Sequence, residues 1–143
     1  EMFETSAPNG ASMLGTCAAV LMYVERGRAR ASPVTCTFGV WRGDVIVPVG
    51  STQLDLAPEE ASRIDAFVRD NTVNRFGPVR EVAHTRDTGL VLEVAFEGLR
   101  RSPRHKSGVA MRFPRVNRLR WDKPPSEADH IDALERLLPA KPH

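Results

Sequence analysis

Residues 90–121 read LVLEVAFEGLRRSPRHKSGVAMRFPRVNRLRW, and the fold turns on how that stretch alternates. Leu90, Leu92, Val94 and Phe96 take every second position, with Glu93 and Glu97 between them. The run from Leu90 to Leu99 is therefore predicted to be a strand with one apolar and one polar face. Val109, Met111 and Phe113 repeat the pattern with Arg112 on the opposite side. Pro114 interrupts it, and Val116, Leu119 and Trp121 continue in a shifted phase with Arg115, Arg118 and Arg120 interleaved. A phase slip at a proline marks a bulge, or a bend at a barrel corner.

Upstream, the period changes. Pro58, Glu59 and Glu60 supply the first-turn proline and acids that a helix favours, and Ala61, Ile64, Phe67 and Val68 follow at helical spacing up to Asn71. Gly77-Pro78 then punctuates the chain. Before the helix, Thr35 to Trp41 alternates, with Cys36, Phe38 and Val40 on one face. The turn Arg42-Gly43-Asp44 leads into Val45–Val49, a hairpin whose Pro48 indicates an edge or a bend. Ala18 to Val24 is a further short apolar strand. Downstream, Ser126 is predicted to open a short helix with Asp129 as a capping-box analogue, an Ile131, Leu134 and Leu138 stripe, and Pro139 as its stop.

Three strands, a helix, two or three strands and a terminal helix define an all-β class with minor α content. The predicted architecture is a five-stranded OB-type barrel with one mid-chain helix and a short C-terminal helix, because closure removes exposed sheet edges. A small open α+β sheet fits the same order less well. The expected organisation is a flexible leader over residues 1–15, the barrel domain over 16–138 and a tail over 139–143.

Composition narrows the classes. With 143 residues, 41% hydrophobic and 27% charged, the chain reads as one globular domain. No apolar run approaches the roughly 20 residues a membrane span needs, and the first residues lack the layout of a secretory signal. Two cysteines, Cys17 and Cys36, make neither a disulfide framework nor a zinc site unaided. A cytoplasmic protein without a membrane partner is expected. Glu1 stands where an initiator Met would, so either a piece cut from something longer or a processed chain is expected.

The net charge of +2 conceals an asymmetry. Residues 1–99 sum to −4, residues 100–123 to +8, and residues 124–143 to −2. Charge so concentrated points to a polyanion, although a solvated charged face is the commoner meaning of a charge run.

Nucleophilic catalysis finds little support. His84, His105, His130 and His143 are scattered, and none sits in a Gly-x-Ser-x-Gly or Cys/His setting. His84 reads as a surface or satisfied histidine, and the cysteines as buried reduced thiols. No Gly-rich phosphate loop is present, and no carboxylates have metal-ligand spacing, so no metal site is assigned. Glu93 and Glu97 read as a solvated sheet face. In the basic stretch, Arg100, Arg101, Arg104, His105 and Lys106 cluster in a loop suited to phosphate oxygens. Arg118 and Arg120 project from one strand face, and Asp122 beside them could orient a guanidinium; spacing alone leaves that reading level with a weak surface ion pair.

The segment from Ser107 to Arg115 (SGVAMRFPR), followed by Arg120-Trp121-Asp122-Lys123, resembles the C-terminal OB domain of ATP-dependent DNA ligases. That family carries a Gly-hydrophobic-small-hydrophobic-Arg-Phe-Pro-Arg strand and then an Arg-x-Asp-Lys signature, its last nucleotidyltransferase motif. Phe96 to Lys106, Phe76 to Arg80 and Phe38 to Trp41 look like the bacterial branch, in which the ligase accompanies a helicase and processing factors. The similarity runs from about Ala18 to Leu138.

The departures are equally informative. Ligases form a lysyl-adenylate on a Lys-x-Asp-Gly motif, and this chain has none; its lysines are Lys106, Lys123 and Lys141. The loop from Gly27 to Val34 looks shortened. The nucleophile and nucleotide pocket must therefore lie on another segment or chain, and this chain alone is expected to be inactive. The resemblance implies catalytic roles for Arg120, Asp122 and Lys123, with Arg118, Arg120 and Lys123 facing the ATP phosphates. Arg100, Arg101, Arg104, His105, Lys106, Arg112 and Arg115 are the expected contacts to nicked duplex DNA. ATP and Mg²⁺ would be held mainly by the adenylation domain, which is the implied partner, with a repair helicase or nuclease beyond it and the nucleoid as the implied location. The alternatives are a stand-alone OB module stacking single strands on Trp41, Trp121 and Tyr23, and a basic, RNA-binding interaction domain. Most Phe positions falling on core faces argues against the stacking module.

Overall fold

The first apolar run is buried on both faces, and this makes it the spine of the fold. The computed structural model describes residues 15–26 and 34–138. β1 (Gly15–Arg26) is followed by the hairpin of β2 (Val34–Arg42) and β3 (Val45–Leu54), then by α1 (Pro58–Asn71). A second hairpin, β4 (Thr72–Phe76) and β5 (Val79–Val82), precedes β6 (Val91–Phe96), β7 (Gly98–Arg101), β8 (Val109–Arg112) and β9 (Arg115–Arg120). A 3₁₀ turn (Pro125–Glu127) and α2 (Ile131–Glu135) complete the described chain.

All ladders between the strands named above are antiparallel. β2 lies between β3 and β1, and the other edge of β1 is shared, its first half with β6 and its second with β5. β6 pairs with β9, β5 with β4, and β7 with β8 as a separate ribbon. β8 and β9 run alongside β3, so the sheet curls into an OB-like half-barrel. The five strands expected of the barrel correspond to β1, β2, β3, β6 with β7, and β8 with β9. The last two are each broken once, at Glu97 and at Phe113-Pro114. The β4–β5 hairpin turns at Gly77, whose φ is 59°.

Leu21, Phe38, Val40, Val49, Leu92, Val94 and Phe96 fill the interior, and α1 adds Ile64. Each such burial contributes about 1.5–3 kcal/mol. Pro48 sits at the expected irregularity: the β2–β3 register jumps from Phe38↔Gly50 to Gly39↔Pro48, leaving Val49 as the extra residue. Gly39 is required there, because a Cβ would overlap the Val47 carbonyl.

Outside the sheet, Val20, Met22, Trp41, Ile46 and Ala128 form a second cluster under the C-terminal segment. This corrects the expectation of a helix opening at Ser126 and capped by Asp129. Pro124 and Pro125 restrict the backbone there, only a 3₁₀ turn forms, and α2 starts at Ile131 without a side-chain cap. Asp129 instead straps the barrel. Its carboxylate accepts the Ala18 N–H at 2.9 Å, its own N–H donates to the Ala18 carbonyl at 2.8 Å, and its carbonyl accepts the Trp41 N–H at 3.0 Å. The expected leader and tail fall on residues 1–14 and 139–143, and most of the Gly27–Val34 loop on 27–33, all outside the described residues apart from Gly15 and Val34.

Candidate functional site

β9 does not alternate cleanly, and its irregularity builds the site. Glu93 of β6 pairs with Arg118 and Val94 with Val116, so Asn117 is an extra, bulged residue. The bulge re-phases the strand: Leu119 turns into the core while Arg118 and Arg120 emerge together on the Glu93 side. The sequence places a phase slip at Pro114; the chain has one break there and a second three residues later.

The two guanidiniums are held by carboxylates. Arg118 Nε donates to Glu93 Oε1 at 3.1 Å, and Arg120 Nη1 lies 3.9 Å from the same oxygen. Arg120 also grips Asp122 with both ends of its fork, Nε to Oδ1 at 3.1 Å and Nη2 to Oδ2 at 3.0 Å. The Arg120 hydrogen bond, with the backbone N–H of Asp122, holds that carboxyl down at about 2 against an ordinary 3.8. Asp122 in turn raises Arg120, and the hydrogen bonds from Arg118 and then Asn117 lower Glu93. Lys123 follows in the same turn, its N–H donating to the Arg120 carbonyl at 3.2 Å. Glu93 is thus no simple solvated residue, as the alternation implied, but the partner of two arginines.

The second cluster is the β7–β8 ribbon. Its loop is closed by backbone hydrogen bonds: Ser102 N–H donates to the Gly108 carbonyl at 2.9 Å, and Gly108 N–H donates to the His105 carbonyl at 2.9 Å. Ser107 is buried, its hydroxyl donating to the Val109 carbonyl at 2.9 Å and accepting the Val109 N–H at 3.1 Å. From the β2–β3 hairpin, Arg42 donates to the carbonyls of Lys106 at 2.7 Å and Ser107 at 2.6 Å. The ribbon therefore presents Arg100 and Arg101 from the end of β7, and Arg104 and Lys106 from the loop, to solvent. His105 is half-buried and its Nδ1 lies 2.8 Å from the Ser102 hydroxyl, so it helps hold the loop.

Arg112 and Arg115 flank Phe113, which departs from expectation. Alternation puts Phe113 on the core face beside Val109 and Met111, yet it is 65% exposed with a φ of 52°. The ladder ends before Pro114, which has no N–H to continue it, and the turn swings the ring outward. The Arg112 guanidinium lies 5.7 Å from the ring centroid. Phe76 is also exposed, so the core holds fewer of the phenylalanines than the pattern suggests.

The aromatic residues named for base stacking are otherwise engaged. Trp41 is buried and donates from Nε1 to the Pro125 carbonyl at 2.8 Å. Trp121 donates to Glu60 Oε2 at 3.2 Å, with the Arg63 guanidinium 4.4 Å from its ring and Phe67 against its edge. Tyr23 packs partly buried against the outer cluster. His84 Nδ1 is satisfied by the Val82 carbonyl at 2.7 Å. Burial pushes the Cys17 and Cys36 thiols up to about 12, so both stay protonated.

Sequence reasoning missed Glu93, Arg42 and Phe113. Nothing local signals Glu93 or Arg42, whose partners lie across a bulged ladder and on another hairpin. For Phe113 a signal existed, since the following proline could not continue a ladder.

The chain is thus an OB-like half-barrel with two groups of arginines, one paired with carboxylates on β9 and one exposed on the β7–β8 ribbon, and guanidiniums are chemically suited to phosphate oxygens. Comparison narrows that description. The chain is 33% identical over 126 residues to a probable DNA ligase of Koribacter versatilis, covering 87% of this chain and 21% of the relative. It is 31% identical over 120 residues to a DNA ligase of Natronomonas pharaonis, covering 82% and 21%. Its fold matches the crystal structure of the ligase domain from M. tuberculosis LigD with a TM-score of 0.59 at 17% identity, over 81% of this chain and 38% of that one. No protein-family profile matches the chain. Sequence and fold together fit an OB domain of the DNA ligase family. The chain spans about a fifth of the length of these two relatives. One of them is archaeal, so the likeness is not confined to a bacterial branch. Among the described residues, no helix is long and apolar enough to cross a membrane.

Proposed function

We propose that this chain is the C-terminal OB domain of an ATP-dependent DNA ligase, supplying the last nucleotidyltransferase motif for lysine adenylylation and then clamping nicked duplex DNA. The observation that carries the reading is the Arg118–Glu93–Arg120–Asp122 array. Two guanidiniums oriented by carboxylates collect at one strand end, with Lys123 in the turn that follows. Arg118 uses only Nε for Glu93, and its terminal nitrogens suit phosphate oxygens. In this reading Arg118, Arg120 and Lys123 neutralise the departing pyrophosphate, and Asp122 keeps the Arg120 fork aimed. Preorganised cations at a leaving group lower the barrier because they need no reorganisation as charge develops.

ATP is the substrate, and these cations meet only its phosphate end. In this reading the adenylation domain would hold Mg²⁺, which would supply charge neutralisation at the phosphates. The ribbon is the proposed DNA surface. Arg100, Arg101, Arg104, Lys106, Arg112 and Arg115 would contact phosphates, and Phe113 would give the same face an apolar contact in the minor groove. The stand-alone single-strand module is disfavoured by the engagement of both tryptophans.

Labelling with radioactive ATP tests the reading. This chain alone should take no label, whereas a matching ligase adenylation domain should label faster when this chain is added or joined to it. Arg120→Ala and Lys123→Ala should abolish the gain. Label on this chain, or no gain beside an active full-length ligase, would overturn the assignment.

A further inference from the structure

Glu93 faces both arginines of the array. It lies mid-strand in β6, directly across from Arg118, with its side chain 29% exposed. One oxygen takes the Arg118 Nε–H and faces Arg120 Nη1; the other accepts the Asn117 amide at 3.4 Å. Asn117 is the bulge residue itself, so the carboxylate bonds to the irregularity that turns both arginines outward.

Two guanidiniums two residues apart on a strand repel and, with four rotatable bonds each, sample many directions. A carboxylate between them opposes both tendencies. Held by Nε, Arg118 keeps a fixed stem while both terminal nitrogens stay open. Among the described residues Asp122 pairs with Arg120 and makes no ion pair with Arg118, which Glu93 alone holds.

We infer that Glu93 is a positioning residue for adenylylation, fixing Arg118 and Arg120 in the orientation that meets the departing pyrophosphate. The inference rests on the ligase reading above and deepens it. It makes a prediction opposite in sign to a purely electrostatic role. Removing Glu93 makes the patch more positive, which by itself favours a triphosphate; losing the anchor lets the arginines wander, which slows the step that needs them.

The test uses Glu93→Ala and Glu93→Gln in the ligase formed by this chain and its adenylation domain. Glu93→Ala should lower kcat for adenylylation about ten- to a hundredfold while KM for ATP stays level or falls. Glu93→Gln retains an acceptor for the Arg118 Nε–H, and Asn117 can turn its amide to suit it, so most of kcat should return. An unchanged or raised kcat in Glu93→Ala overturns the inference, as does a glutamine variant as slow as the alanine one. A second readout does not depend on ligation. NMR of arginine Nε–H groups in this chain should show the Arg118 signal slowed in exchange in the wild type and Glu93→Gln, and lost in Glu93→Ala, with thermal midpoints within a few degrees. No loss in Glu93→Ala overturns the anchoring itself. A wild-type chain that keeps the NMR signature but stimulates no adenylylation would remove the ligase reading, and with it the role in that step, while leaving the anchor standing.

Discussion

The β7–β8 ribbon and the end of β9 are both arginine-rich, yet they treat their charges in opposite ways. Arg100, Arg101, Arg104, Lys106, Arg112 and Arg115 have no ion-pair partner among the described residues, whereas Arg118 and Arg120 are tied to Glu93 and Asp122. Unpaired exposed cations suit a long polyanion met at many points, where total charge matters more than aim. Paired guanidiniums lose some attraction and gain direction, which suits a small anion whose charge develops in one place. In the ribbon the backbone is held instead, by Arg42, Ser102 and Ser107, and the cations carry no ion pair among the described residues.

The sharpest break of this comparison is a pair of single substitutions. Arg120→Ala should reduce adenylylation by about a hundredfold or more, the usual scale for one preorganised donor. Arg101→Ala should change it by less than about threefold. Equal losses in the two variants would mean that the regions differ only in appearance and that charge alone is being measured.

Nick binding should reverse the ranking. The double variant Arg100→Ala, Arg101→Ala should weaken binding to nicked duplex about tenfold near 0.1 M salt and flatten the slope of log K against log salt by about 2. Arg120→Ala, whose charge is balanced by Asp122, should leave that slope nearly unchanged. A slope loss from Arg120 as large as from either ribbon arginine would place DNA on the paired array as well.

Phe113 sharpens the picture of the ribbon further. Its positive φ is costly for a bulky residue and free for glycine, while glycine adds entropy to the unfolded chain, so Phe113→Gly should leave stability within about 0.5 kcal/mol. Nick affinity should nevertheless fall about fivefold, measured alongside thermal unfolding. A variant that binds as well as the wild type would show that the ring is exposed without being used.

Most of the barrel was legible because alternation and helix punctuation act locally. Cys36, Phe38 and Val40 fall on one buried face, Pro58 and the acids begin α1, and Leu90, Leu92, Val94 and Phe96 reach the core as alternation requires, although Val91 and Ala95 on the opposite face are buried too. What escaped is non-local. The β6–β9 register depends on which residue is extruded at Asn117, and only that choice brings Glu93 opposite Arg118. The strap through Asp129 and the grip of Arg42 on Lys106 and Ser107 join positions 111 and about 65 residues apart, beyond any local period. The cations of the site could be named from sequence; which of them are paired could not, because pairing is decided by register.

That pairing is open to direct titration at Asp122, where the expected effect on function is smallest. Its folded carboxyl titrates at about 2, below the ordinary 3.8, so the favourable pairing with Arg120 is fully present above the ordinary value and is lost only as pH falls through about 2. Between pH 5 and 9 this pair should therefore contribute no pH dependence to adenylylation or to unfolding. Carboxyl NMR should find the midpoint near 2 in the wild type and return it towards 3.8 in Arg120→Ala, while Arg101→Ala leaves it in place. If the wild-type carboxyl titrates at its ordinary value, the Arg120 fork is as free in solution as the ribbon's arginines, and the contrast between the two regions would have to come from position alone.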